Sequence, residues 1–510
     1  MKHFLITIFS LICLTSAAQT GVVRLEFEAA INSDIYKLIP LGERGFIVFY
    51  ETTEPAGDNR KNWFFTFYNT DFKDNWKANI PVIENAYYQD FIYKDTLVYL
   101  FFLNSDRVKA GTNNFQLLTL DLKNGLSYET TGNLPGESQF VKFCLAGDKI
   151  ITGLNLKNDQ AAIYSIDLNS GPILEFNLTY PDENFIEDLA YDPYSQSVIC
   201  AASNFLSRKQ NKMYLLVMDQ SLNFKYDSEI STVVFGKYLN TSRIYIPDSA
   251  NYFLVGSYGN IAAKLPSQNE YFGIESTGVF STCFKQQKQE YMNYYNFMEF
   301  NNLRAGVSAR DFYRLQSKKK DRESAEYSMN YELITHDPEV HDSMVVIMME
   351  AFYPEFRTMS DISYDYWGRP VTHNYTVFDG YRFFNALMAG FRLNGELAWD
   401  NSLEINLPTT TNTDPKIEYF FDGDPVILYY NDGTKIYYRV CLENAELEPF
   451  SVLDLETSEF GDRITAIGQN YMKHWYGYNF LAYGYHTIQN NMKADKNQRV
   501  VFYINKISLE

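Results

Sequence analysis

The densest group of residues able to hold a metal or move a proton is His336, Asp337, Glu339, His341 and Asp342, crowded into one short segment. A metal site needs donors that converge, as when two histidines one turn apart share a helix face. Pro338 interrupts regular structure here, and a hairpin turn accounts for the Asp-Pro pair. No metal site is assigned. Asp422-Gly423-Asp424 and Asn431-Asp432-Gly433 look like pieces of calcium loops, but neither completes the spaced oxygen set that calcium requires. No GxSxG, P-loop, GxGxxG or Cys–His pairing is present. Carboxylates for glycoside hydrolysis are plentiful, yet spacing alone places no two at catalytic separation. The chain reads as a binding protein rather than an enzyme, with no catalytic residue and no cofactor assigned.

Residues suited to recognition are easier to find. Residues 353–381 interleave Tyr353, Tyr364, Tyr366, Trp367, Tyr375 and Tyr381 with Arg357, Arg369 and several aspartates. Tyr, Trp and Arg dominate binding hot spots because each offers a large contact area with a polar handle. Flat rings beside carboxylates also suit sugar faces. The plain alternative is a hairpin folded back on the body with its rings buried. A second insertion, 298–328, is expected to hold a helix with Leu303, Val307, Phe312 and Leu315 on one side. It ends in Lys318, Lys319, Lys320 and Arg322, a basic patch that would dock an acidic partner or lipid headgroups unless it pairs with the protein's own acidic surface.

These loops need a scaffold, and a repeat supplies one. An apolar strand, a tight polar turn and a second strand recur with turns starting at Asn69, Asp121, Asp167, Asp219, Phe284, Arg392, Cys441 and Asn505. Most steps fit the roughly 40–50 residues that a four-stranded propeller blade needs. The step from Phe284 to Arg392 is about twice as long and is read as one blade with insertions. Each pair is preceded by two more strand-like runs, so the expected architecture is all-β: a β-propeller of about eight four-stranded blades, with one helical insertion. The last blade is one strand short, and residues 22–28 (VVRLEFE) can complete it beside 500–505, which removes an exposed edge. Long connections, including 52–62, fall on one face of the ring and short turns on the other. Binding groups usually ride on such loops.

Composition agrees. The chain has 510 residues, 46% hydrophobic and 17% aromatic, enough for a large core and rich in strand formers. Its net charge of −19 repels phosphate backbones, so nucleic acid is not an expected partner. Lys2 and His3 precede an apolar run, and Ser16-Ala17-Ala18 supplies small residues before Gln19. Residues 1–18 are therefore expected to be a secretory signal, followed by a single domain over 19–510 with no transmembrane segment of its own. Cys144, Cys200, Cys283 and Cys441 form no CxxC pair and are read as buried free thiols.

The stretch FYPEFR…YDYWGRPVTHNYTVFDGYRFFNALMAGFRLNGELAWDNSLEI resembles a block of uncharacterised exported β-propeller-like proteins of Bacteroidota. The resemblance implies export and fold and carries over no site residue. Three Asp-Ser/Thr-apolar triplets, at Thr96, Ser249 and Ser343, resemble the O-glycosylation motif of exported proteins of that group, although Asp-Ser also simply makes turns. The expected role is a non-enzymatic binding or scaffold protein, exported to the periplasm, outer membrane or cell surface. Its partner would be a protein of an envelope or outer-membrane complex. The second reading is a glycan-binding or glycan-processing propeller.

Overall fold

The computed structural model describes residues 23–29, 35–104, 113–169, 171, 173–207, 210–232, 234, 236–259, 275–302, 331–421, 423, 425–442, 450–490, 492 and 498–509. The expected signal segment 1–18 lies outside the described residues, as do Lys318, Lys319, Lys320, Arg322 and nearly all of the expected helical insertion 298–328.

Strands dominate for a reason visible in their side chains. The second strand of blade two, Leu97–Leu103, reads LVYLFFL, apolar on both faces. Val98, Leu100 and Phe102 pack on blade one, while Phe101, Leu103 and Tyr99 pack on blade three. A sheet apolar on both faces must be covered on both, and a ring of sheets does this without a second layer. Among the described residues eight antiparallel sheets form. Hydrophobic clusters fill the seams between consecutive blades from one to eight, and Phe46 and Tyr36 of blade one meet Trp475 and Phe502 of blade eight to complete the circle.

Closure is as expected. Strand Arg24–Glu28 pairs antiparallel with Gln498–Ser508, Arg24 opposite Asn505 and Glu28 opposite Val501. It is the outer strand of blade eight, whose other strands are Asp462–Tyr476 and Asn479–Asn490. Arg24, 1% exposed, bonds Glu26 at 2.8 Å and Asn505 Oδ1 at 2.8 Å. Beside it His486 donates from Nε2 to the Gly433 carbonyl at 2.6 Å, which leaves Nδ1 facing the Arg24 guanidinium at 3.3 Å. Burial, then Arg24, push the His486 pKa down from 6.5 to about 3, so the ring is neutral. Cys144, Cys200, Cys283 and Cys441 are free thiols, as expected, the last three buried and Cys144 half-buried.

Three local readings change. Residues 52–62 are not a loop: Phe46–Gly57 and Arg60–Tyr68 run on as a hairpin to a turn at Asp58-Asn59. The insertion 353–381 is likewise not a loop, because its Thr, Ile, Val and aromatic residues are strand formers and pair residue against residue. Asp337-Pro338 lies inside the first strand of blade six and not at its turn, splitting it into Tyr331–Thr335 and Glu339–His341. Proline has no N–H to give the ladder, so pairing lapses there.

Candidate functional site

In blade six the second strand, Met344–Tyr364, and the third, Pro370–Arg392, outrun the rest of the sheet. Inside the ring they are buried; past Phe356 and Phe378 they continue alone as a two-stranded arm. Pairing holds from Phe356 opposite Phe378 to Tyr364 opposite Pro370, a reach of roughly 30 Å at the usual strand rise. The base is braced. Tyr381 N–H donates to the Thr410 carbonyl at 2.7 Å, and Thr410 N–H returns to Tyr381 at 2.9 Å. Thr409 Oγ1 donates to Glu355 at 2.9 Å. Residue 380 must be glycine, since its φ is +131° and a Cβ would lie 2.5 Å from the Thr410 oxygen.

The tip is ordered by one carboxylate. Asp365 Oδ1 accepts from Trp367 N–H at 2.9 Å and Arg369 N–H at 2.8 Å, and Gly368 N–H closes the turn on the Asp365 carbonyl. This turn presents Tyr366 and Trp367, 95% and 76% exposed, edge to face with each other. Tyr364 and Tyr375 are exposed beside them, and Arg357 pairs with Asp379 at 3.3 Å. The expected site residues thus divide. Tyr364, Tyr366, Trp367, Arg369, Tyr375 and Arg357 share the exposed arm, whereas Tyr353 packs on Phe384 and Tyr381 on Phe352 at its base.

Thr96, Ser249 and Ser343 sit at turns joining first and second strands of blades two, five and six, on the face opposite the arm. Ser249 and Ser343 are exposed and Thr96 half-buried. Asp248 builds its turn by accepting from Ala250 and Asn251 N–H groups, which is ordinary Asx-turn chemistry.

The charged center of the ring escaped sequence reading. Asp90, Lys142, Asp188, Arg243, Asp337, Glu418 and Lys473 belong to the first strands of blades two to eight, most of them a few residues before the turn into the second. In blades two, three and four a bulge immediately precedes the charged residue, and bulges re-aim side chains. Lys142 Nζ lies 3.0 Å from Asp188 of blade four and 2.8 Å from Asp337 of blade six. Contact between blades three and six is possible only across a common axis. Arg243 approaches Asp337 at 3.6 Å, Asp188 also accepts the Ile244 N–H at 2.8 Å, and Lys473 pairs with Glu418.

Burial alone would lower the Lys142 pKa; Asp188 and Asp337 outweigh it and raise it. Burial would raise Asp337, yet Lys142 and Arg243 hold it low, and its side chain, 60% exposed, is wetted along the axis. Glu187, one step from Asp188, is pushed up to about 7 by burial, against the pull of Ser203 and Arg243. The signal was present: a charged residue a few positions before each turn from first to second strand. Each cation here has its carboxylates, so the network ties blades together across the axis. Among the described residues no three His, Cys, Asp or Glu side chains are placed to hold a metal, and no helix is long and apolar enough to cross a membrane.

The fold defines the chain as a β-propeller. Comparison with solved structures finds other propellers. The WD40 domain of SCAP from fission yeast shares 8% identity over 94% of this chain and 98% of its own, with a TM-score of 0.40. The Dos1 propeller shares 12% identity over 81% and 89%, with a TM-score of 0.37. The β-propeller domain of the Trilobed protease from Pyrococcus furiosus shares 10% over 81% and 98%, at 0.34. No protein-family model and no curated protein matches the chain.

Proposed function

We propose that this chain is an exported binding protein of the bacterial cell envelope whose blade-six arm grips a protein partner of an envelope or outer-membrane complex. The observation that carries the reading is the arm tip: two large exposed rings held outward on an ordered turn and set edge to face. Isolated two-stranded hairpins are marginal in water, and their edges invite pairing. A ribbon exposed on both faces is therefore costly to keep unless something binds it. Export is supported by the Lys2–Ala18 segment and by the resemblance of residues 352–405. Ser249, Ser343 and Thr96 are proposed as O-glycan acceptors, which intact-mass measurement of the exported protein tests.

Photo-cross-linking groups at positions 366 and 367, used in intact cells, test the arm. The expected product is one dominant protein adduct, lost when the partner position is changed to alanine. Adducts identical to those from a cross-linker at exposed Phe460 would sink the idea. Saturable binding to a glycan array that Trp367→Ala removes would replace the protein partner with a sugar.

A further inference from the structure

The two strands of the blade-six arm hold one register from Phe356 opposite Phe378 to Tyr364 opposite Pro370. In an antiparallel ladder, hydrogen-bonded and non-bonded pairs alternate, and members of a non-bonded pair aim their N–H and C=O groups at the outer edges. The end of the ladder fixes the phase. Asp365 N–H donates to the Arg369 carbonyl at 2.9 Å, and Pro370 has no N–H to give, so Tyr364–Pro370 is a non-bonded pair. Two residues at a time from Pro370, the backbone groups of Thr372, Asn374 and Thr376 therefore point out of the arm. Among the described residues no backbone group outside the arm bonds the edge from Val371 to Val377; at Tyr381 the edge is taken up by Thr410.

Proteins normally blunt such an edge with charge, proline or a covering segment. This one carries no Lys, Arg, Asp or Glu between Val371 and Val377, and Val371–Thr376 are exposed. Its sequence, VTHNYTV, also reads nearly the same in both directions about Asn374. Two such strands laid antiparallel, Asn374 against Asn374, set Val371 against Val377, Thr372 against Thr376 and His373 against Tyr375 in both halves. Like pairs of threonine and valine and a pair of rings are the kind that stabilise sheets. The same alignment sets the outward groups of Thr372 opposite those of Thr376, so the ladders agree in phase, whereas a slip of one residue would lose every bond. At each end exposed Arg369 of one copy comes level with exposed Asp379 of the other. We infer that two copies of this chain pair arm to arm through Val371–Val377, forming one four-stranded antiparallel sheet about a two-fold axis at Asn374. A second copy is the occupant because a two-fold contact needs each residue to match across the axis, and a strand serving a different protein has no need to mirror itself. The pairing is made by the strand edge and not by the tip rings, so it goes beyond the reading above and is tested on the purified chain alone.

The test is sedimentation velocity over a dilution series, with hydrogen exchange read at the same concentrations. The expected result is a monomer–dimer equilibrium in which the Thr372, Asn374 and Thr376 amides are protected when concentrated and released on dilution. Asn374→Lys puts like charges across the axis and should weaken the dimer by about tenfold or more, as should Asn374→Asp. An equimolar mixture of those two variants should restore it. Thr358→Lys, on the opposite edge of the arm, should leave it unchanged, and Tm should be the same throughout because these side chains are exposed. A wild type that stays monomeric to about 100 μM, a dimer indifferent to both Asn374 changes, or one weakened equally by Thr358→Lys overturns the inference. So does protection of the three amides that appears only when envelope extract is added, which would give the edge to a different protein.

Discussion

Strand Arg24–Glu28 and the arm of blade six are both peripheral β segments, and the molecule treats their side chains in opposite ways. In the first, Arg24 is buried among Glu26, Asn505 and His486, and Phe27 packs into the seam with Tyr36 and Phe502. In the second, Tyr366 and Trp367 are 95% and 76% exposed and lie edge to face. The closing strand has its contacts inside the molecule and so serves stability. The side chains of the arm face solvent and contribute little to the ring that carries it. The contrast teaches where to cut: changes in the seam should open the ring, and changes in the arm should leave it intact.

The largest expected effect is Arg24→Met, which leaves half-buried Glu26 with Arg499 alone and the Asn505 Oδ1 without its donor, and should cost about 3 kcal/mol. Hydrogen exchange would show it as lost protection in 24–28 and 498–508 before the rest of the ring. Uniform loss would mean that closure is not a separate unit. Acid should act on the same seam. His486 is neutral when folded, with a pKa of about 3 against 6.5 when unfolded, so the unfolded chain holds the extra proton between those values. The stability from its neutral form is complete above pH 6.5 and drains away as pH falls toward 3. Chemical denaturation across that range should show a steep acid limb, flattened in His486→Gln.

Lys142→Met removes the cation shared by Asp188 and Asp337. Because the axis is partly wetted, the loss should be smaller, about 2 kcal/mol. Changing Asp337 as well, to Asn, should recover part of it; strict additivity would refute a direct pairing across the axis. The smallest change in stability belongs to the arm. Tyr366→Ala with Trp367→Ala should shift unfolding by no more than about 0.5 kcal/mol, while partner affinity falls by 2 kcal/mol or more, roughly 30-fold.

How far the sequence could be read follows the same division. Blades were legible because runs such as Leu97–Leu103 advertise two buried faces, and because closure required a strand at one end to match a gap at the other. The arm was legible in composition, through Tyr366, Trp367 and Arg369, but not in form. Its polar tips looked like loop until register pairing from Phe356 to Tyr364 showed a ribbon. Asp337-Pro338 was placed at a turn because proline commonly sits there, and only the split first strand of blade six corrects this. The axial charges were hidden for one reason. Their partners lie in other blades, as with Lys142 and Asp337, and no local window holds both.

Shortening the arm tests the central claim most directly. Residues 357–377 are replaced by a two-residue turn, which keeps the Phe356–Phe378 contact and the Thr410 brace, and the variant is co-purified beside the wild type from native envelope membranes. The expected result is an unchanged melting temperature together with loss of the partner seen with the full-length arm. The same partner, recovered in the same yield without the arm, would contradict the account.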